Sequence, residues 1–240
     1  MDRDYSYLIN ALSNWNFDFS ESQIKQLDTY YEMLIEKNKV MNLTAITEFD
    51  EVIVKHFVDS LSICQILKDD SNLKIIDLGT GAGFPGIPLA IAYPNHSFVL
   101  MDSLNKRINF LHEVVDAIGL TNVELVHARA EEAGRNKSYR EKFDLCVSRA
   151  VANIATLSEY CLPFVNIGGR FISFKSGDVS EEINLSGSAI NKLGGKLCNP
   201  FYFNLPESDI NRSFLIIDKI KSTPKTYPRK AGTPSREPLK

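Results

Sequence analysis

The residues with the strongest chemical signature run from Asp77 to Gly83, Asp-Leu-Gly-Thr-Gly-Ala-Gly, and continue into Phe84-Pro85-Gly86. A largely apolar run, residues 74–78, feeds straight into them and reads as a β-strand. Glycines placed directly after a strand permit positive φ and let the backbone approach a ligand that a Cβ would block. Two registers compete. From Gly81 the segment matches G-x-G-x-x-G, the dinucleotide fingerprint, whose helix N-terminus should offer N–H groups to a pyrophosphate. That register begins two residues too late, and Pro85 and Pro88 remove donors from the helix start. From Asp77 the segment is D-x-G-x-G-x-G, an acid on the strand with glycines immediately behind it. Such a loop suits a cationic ligand that needs close backbone approach and no phosphate nest. S-adenosylmethionine carries an amino group, a sulfonium and a carboxylate, and the second register fits it. Asp77, Gly79, Gly81 and Gly83 are therefore expected at the cofactor.

Three more strand ends carry candidates. Residues 97–101 lead to Asp102, 25 positions after Asp77, where a carboxylate can accept from both ribose hydroxyls. The competing reading is a helix cap, a role Asn105 suits better. Residues 123–127 lead through Ala128 and Arg129 to Ala130 and Glu131, which would lie against the adenine. Residues 143–148 end at Arg149, a cation at the lip that faces the reacting centre; its competing reading is a salt bridge to Glu131 or Asp77. Arginine stays charged at neutral pH, so Arg149 would orient a carboxylate or hold RNA phosphate rather than take a proton.

Strand-like runs cover residues 74–78, 97–101, 123–127, 143–148, 170–175, 196–204 and 213–220, with helical patterns between the first six. The clearest helix, Asn105–Ile118, is closed by Gly119. Turn-rich residues 206–211 predict an antiparallel hairpin at the end. Alternation of this kind gives an α/β fold, a seven-stranded, mostly parallel Rossmann-like sheet with helices on both faces and an antiparallel last strand. That is the layout of class I methyltransferases. Residues 69–220 form this domain. Residues 1–68 form a helical extension with three amphipathic patterns, on Leu8, Leu12 and Trp15; on Ile24, Leu27, Tyr31, Leu34 and Ile35; and on Ile53, Phe57, Leu61 and Cys64. Ser20 and Gln23 have capping-box spacing for the second, and Asp50 is the expected cap of the third.

Composition excludes several classes. With 44% apolar and 24% charged residues, the 240-residue chain can bury a proper core. Its first residues are polar and acidic, unlike a signal peptide, and no apolar run approaches the roughly 20 residues of a membrane helix. Four scattered cysteines without a C-x-x-C pair predict buried, reduced thiols and a cytoplasmic location. The net charge is −3, but the segment from Lys219 to Lys240 holds seven Lys/Arg, one Glu and four prolines, a net of +6. Residues 221–240 therefore read either as a solvated tail or as a basic arm for a polyanion. Lys175 beside the cleft, with Arg229, Lys230 and Arg236 in the tail, are the candidate RNA contacts. Removing the tail is expected to weaken RNA binding and spare the cofactor.

Taken together, these segments resemble the RsmG (GidB) methyltransferases, along nearly the whole chain. The matching stretches are NKVMNLTAI (38–46), HFVDSL (56–61), DLGTGAGFPGIP (77–88), DSLNKRINFL (102–111), RAVA (149–152), Lys175-Ser176-Gly177 and PRKAGTPSREPL (228–239). The resemblance implies methyl transfer from S-adenosylmethionine to N7 of a guanine in 16S ribosomal RNA, free or within the small subunit or an assembly intermediate. It also implies that Gly79, Phe84, Ala130, Glu131 and Arg149 contact the cofactor.

Residue chemistry agrees by exclusion. Methylation of an exocyclic amine needs an Asn/Asp-Pro-Pro-Tyr loop after the fourth strand, where this chain has Ser-Arg-Ala-Val. Carbon-5 methylation of a pyrimidine needs a cysteine nucleophile, and Cys146 reads as a core thiol. Guanine N7 offers an in-plane lone pair without a proton, so alignment replaces acid–base catalysis and no metal is expected. His56, Asp59 and Ser60 have triad residue types, but on one helix they read as surface neighbours with a capping or RNA-facing role. His96, His112 and His127 lack ligand spacing. The rival readings are methylation of another acceptor, an NAD(P)-dependent oxidoreductase, and a catalytically silent RNA-binding module.

Overall fold

A computed structural model describes residues 3–67, 72–149 and 152–240 of the chain. Helix α1 (Ser6–Asn14) turns Leu8, Ala11 and Leu12 inward. Helix α2 (Glu21–Met41) opens on the capping box expected from its sequence: Ser20 accepts from the Gln23 amide, and the Gln23 side chain accepts from the Ser20 amide. The third helical pattern is not one regular helix. It runs as α3 (Phe49–Val52), a π-helical turn (Ile53–Val58), α4 (Asp59–Leu61) and a 3-10 turn (Ser62–Gln65). Asp50 is not its cap; Glu48 holds that position without a side-chain bond, and Asp50 lies in the first turn. Residues 56–63 are buried without a break, Ser60 among them, so His56 and Asp59 are interior groups, which corrects the expectation of surface neighbours.

The remaining elements alternate as predicted: β1 (Lys74–Leu78), α5 (Gly86–Ala92), β2 (Ser97–Asp102), α6 (Asn105–Ile118), β3 (Val123–His127), α7 (Ala130–Ala133), β4 (Phe143–Ser148), α8 (Ile154–Cys161), β5 (Val165–Ser176), α9 (Ser180–Lys192), β6 (Gly195–Leu197), β7 (Phe201–Asn204), β8 (Asn211–Lys219) and α10 (Thr233–Arg236). The sheet order is β3-β2-β1-β4-β5-β8-β6, with β7 also on β8. Strands β1 to β5 run parallel, and β8 runs antiparallel to β5, β6 and β7. The single strand expected over residues 196–204 is interrupted before Phe201, at Pro200, which cannot donate to a ladder. The hairpin pairs Phe201 with Phe214 and Asn204 with Asn211.

Side-chain alternation divides the core. Ile75, Leu100, Leu145 and Ile172 point to the face covered by α1, α2, α5 and α6, in one hydrophobic cluster with Leu27, Tyr30 and Phe57. Ile76, Met101, Cys146 and Phe171 point to the other face, with Leu157 and Cys161 of α8 and Ile190 of α9. The helical extension thus packs directly on the sheet. The tail is folded down as well: Arg140 donates to the carbonyls of Thr223, Pro224 and Tyr227, and Arg135 donates to those of Thr226 and Pro228. The strand order reverses between β1 and β4, and the carboxyl ends there define the crevice in which open α/β sheets bind ligands.

Candidate active site

The glycine loop turns at this crevice. Gly79 and Gly81 have φ of +75° and +64°, conformations that L side chains adopt at a cost. Beyond the missing Cβ of Gly79 no atom lies within 4 Å, and at Gly81 the nearest is the Gly79 oxygen at 3.9 Å. Both positions leave backbone bare toward open space. Gly83 differs, because a Cβ there would sit 2.7 Å from Ile87 and 2.8 Å from the Tyr30 hydroxyl. Its smallness serves packing against α2. Tyr30 donates to the Ala82 carbonyl at 2.7 Å, so the extension supports the loop from beneath.

Asp102 ties the loop to the next strand. One carboxylate oxygen accepts from the Gly81 amide (3.0 Å) and Arg107 (3.2 Å), the other from the Leu104 amide (2.8 Å). The carboxylate thus holds the start of α6 while facing the cleft, and Asn105 is not the cap. Asp77 lies under the loop, fully buried, with one oxygen accepting from the Gly86 amide at 2.9 Å. Its other oxygen has no hydrogen bond among the described residues. Burial pushes its pKa up to about 6, with Thr80, the Gly86 amide and Arg149 pulling the other way.

Arg149 reaches neither Glu131 nor Asp77 for an ion pair. It donates to Asp59 (2.9 Å) and to the Lys55 carbonyl (3.2 Å), comes within 3.3 Å of Nδ1 of His56, and lies 5.1 Å over the Phe84 ring. The second oxygen of Asp59 takes Arg212 at 2.6 Å, so one buried carboxylate bridges two guanidiniums. His56 stacks on Phe84 at 4.4 Å and meets the Thr44 hydroxyl through Nε2 at 2.8 Å. Burial and the Arg149 charge lower its pKa to about 3, so the ring is neutral, and Nδ1 lies 3.1 Å from the Lys55 carbonyl as well as near Arg149. The segment around His56, expected from sequence to cap a helix or face RNA, holds the arginine at the strand lip, with Thr44 bonded to His56. Ala150 and Val151 lie outside the described residues.

A cleft of about 410 Å³ opens between these parts, lined by Gly79, Asp102, Ala130, Glu131, Tyr160 and Gly232, among others. That is within the roughly 300–1,000 Å³ of small-molecule sites. The structure brings Gly79, Asp102, Ala130 and Glu131 to this one cleft. It sets Asp77 below, Gly81 beside Asp102, and Gly83, Phe84 and Arg149 on the side of the helical extension. Tyr160, Gly232 and Ser235 were missed in the sequence, because no local pattern marks them. The tail delivers the last two: the Gly232 amide donates to Glu131 at 2.8 Å, and Thr156 donates to the Pro234 carbonyl at 3.1 Å.

The candidate RNA contacts separate into held and exposed cations. Arg229 makes a two-point bond to Glu159 at 2.7–3.1 Å, and Glu159 is fully buried. Lys175 bonds Glu182 and the Ala152 carbonyl. Lys219 is not part of a basic arm; it is buried in β8 against Leu162 and Thr223, and burial lowers its pKa to about 8. Lys230 and Arg236 are exposed. Among the described residues no group of three metal-ligating side chains occurs, and no helix is long and apolar enough to cross a membrane.

Comparison with known proteins agrees with this architecture. Residues 23–204 match the family model described as rRNA small subunit methyltransferase G. The ribosomal RNA small subunit methyltransferase G of Lachnoclostridium phytofermentans is 52% identical over 237 residues, spanning 99% of this chain and 98% of its own. That of Alkaliphilus metalliredigens is 53% identical over 226 residues, 93% and 94% of the two chains. Among solved structures, a SAM-dependent O-methyltransferase from Thermotoga maritima superposes with a TM-score of 0.52 at 16% identity, over 80% of this chain and 72% of its own. At that identity the likeness is one of fold.

Proposed function

From the premise that this chain belongs to the rRNA small subunit methyltransferase G family, we propose that it transfers the methyl group of S-adenosylmethionine to N7 of a guanine in 16S ribosomal RNA. The observation that carries the assignment is the cleft at the carboxyl ends of β1 to β4, which joins bare glycine backbone and an acid at the second strand end, with an anchored cation, Arg149, following the end of the fourth strand on the side of the helical extension. The residues fit the cofactor. Gly79 and Gly81 leave room where a Cβ would stand, Asp102 can accept from ribose hydroxyls, and Ala130 and Glu131 border the adenine. Asp77 supplies negative charge beneath the loop.

When bound, S-adenosylmethionine supplies an electrophilic methyl group on a cationic sulfur. The acceptor N7 has a lone pair in the ring plane and no proton, so the protein need not supply a base. Arg149 cannot serve as one at neutral pH. What the chain provides is alignment and exclusion of water. Arg149, fixed by Asp59 and stacked over Phe84, orients the acceptor side. N7 must be unstacked to reach the cleft, which favours a loop of the RNA over a paired helix. Lys230 and Arg236 meet phosphates, while Arg229 holds the tail in place and Lys175 is held by Glu182.

The test is methyl incorporation from labelled S-adenosylmethionine into small-subunit RNA, followed by chemical cleavage at N7-methylguanine. A single cleavage site is expected. Label at another atom, or on protein, would refute the assignment.

A further inference from the structure

The carboxyl edge of the sheet continues past Arg149 into a second open groove of about 690 Å³, lined by Gly177, Asp178, Tyr202, Asn204, Asn211 and Arg212, among others. Its position follows from the strand pairing. Arg212 pairs with Ser176 at the end of β5, the strand next to β4. Arg212 and Arg149 share the Asp59 carboxylate, so the groove begins one side chain away from the acceptor site.

The chemistry of the groove is that of a nucleotide site. In β7 the side chains alternate: Phe201 and Phe203 pack on Phe214, and Tyr202 and Asn204 face outward. Tyr202 is 51% exposed and lines the groove. Beside it, Ser180 donates to Asp178 through its hydroxyl (2.6 Å) and its amide (2.9 Å), which holds that carboxyl below the ordinary carboxylate range. Opposite, Gly177 has φ of +66° with nothing within 4 Å of its missing Cβ, so the backbone there is bare. Arg212 gives Nε to Asp59 and Nη1 to the Asn211 carbonyl, and Nη2 has no hydrogen bond among the described residues. Asn204 and Asn211 add amide groups able to donate to and accept from a base edge.

A guanine drawn out of its stack leaves its neighbour without a stacking partner, and proteins that bind unpaired strands replace that partner with an aromatic face. We propose that this groove takes the nucleotide flanking the target guanine, with its base stacked on Tyr202 and its phosphate on Nη2 of Arg212. The inference rests on the reading of RNA as acceptor. It makes the groove a reader of the target's neighbour, separate from the cofactor cleft.

The experiment compares Tyr202→Ala, Tyr202→Phe and Tyr202→Trp in the full chain, with steady-state methylation of small-subunit RNA. Tyr202→Ala should raise KM for RNA about tenfold, the scale of one lost base–aromatic stack, with the loss in KM rather than in kcat or cofactor affinity. Tyr202→Phe should behave like wild type, since stacking needs no hydroxyl. Tyr202→Trp should show indole fluorescence quenched by a short single-stranded oligoribonucleotide, against the wild-type baseline from Trp15. An unchanged KM in Tyr202→Ala, with active wild type, would overturn the groove assignment alone. Absence of RNA methylation by the wild type would overturn it together with the substrate reading.

Discussion

Arg229→Ala tests whether the tail is structural to the cofactor cleft. In the wild type, Glu159 is fully buried and takes three side-chain hydrogen bonds from Arg229 and one from its amide. Removing the guanidinium strands a carboxylate in the core, and breaking a buried pair in this way costs about 3–5 kcal/mol. The Arg229 side chain is 26% exposed, so water recovers part of that, and about 2–3 kcal/mol is expected. The protein can absorb the cost in two ways. If the tail stays docked, the melting temperature falls, by about 2–4 °C per kcal/mol for a chain of this size. If the tail lifts to hydrate Glu159, Gly232 and Ser235 leave the cleft and Glu131 loses its amide partner. Cofactor affinity then falls, and amides of residues 226–239 exchange faster. Calorimetric titration with S-adenosylhomocysteine, a melting curve and hydrogen exchange separate these routes. The double variant Arg229→Ala/Glu159→Ala should be less damaged than the sum of its parts, because the stranded charge is gone. Unchanged melting and unchanged affinity in Arg229→Ala would refute the structural role and return Arg229 to the RNA surface. By the same reasoning, deletion of residues 222–240 should weaken cofactor binding as well as RNA binding, against the expectation from sequence.

Asp59→Ala frees two guanidiniums that share one carboxylate; turnover on RNA should drop at least about tenfold, as one charge-assisted bond is worth 1.5–3 kcal/mol, and an undiminished kcat would refute the positioning of Arg149. Burial raises the pKa of Asp77 in the folded protein to about 6, from an ordinary carboxylate value of 3.8, so its contribution to stability is full below about pH 4 and is lost as pH rises through 6. Asp77→Asn should therefore melt several degrees higher than wild type at pH 7.5, with the gap closing below pH 4, and should bind the cationic cofactor less tightly; equal melting curves at pH 7.5 would show that the buried charge carries no cost. Gly81→Ala and Gly83→Ala should divide function from folding. The first strains a left-handed residue by about 1–2 kcal/mol and lowers cofactor affinity, whereas the second drives a Cβ into Ile87 and Tyr30 and lowers the melting temperature most.

What the sequence made legible was local. The Ser20–Gln23 cap, the Gly119 helix end and the glycine turn after β1 each depend on residues a few positions apart, and each forms. The sheet followed from repetition of such local patterns. The partners of the site did not, because they join distant segments: Arg149 meets Asp59 across 90 residues, and Gly232 meets Glu131 across 101. Nothing in periodicity marks Asp59 as interior, since residues 56–63 are buried without a break and no periodic stripe sets it apart. The tail misled for a related reason. Seven basic residues in a Pro-rich stretch have the composition of a solvated arm, but Arg135, Arg140 and Glu159 supply the docking groups from elsewhere.

Because Gly232 and Ser235 complete the cleft, the order in which the chain is made matters. The glycine loop leaves the ribosome early, whereas the cleft wall follows only after the rest of the sheet has been translated. At roughly 5–20 residues per second this interval is on the order of ten seconds. During that time the nascent chain has its loop and strands but an open pocket with Glu131 unpartnered. A closed site thereby waits until residues 232–235 have emerged, and fragments released by premature termination before residue 232 lack it.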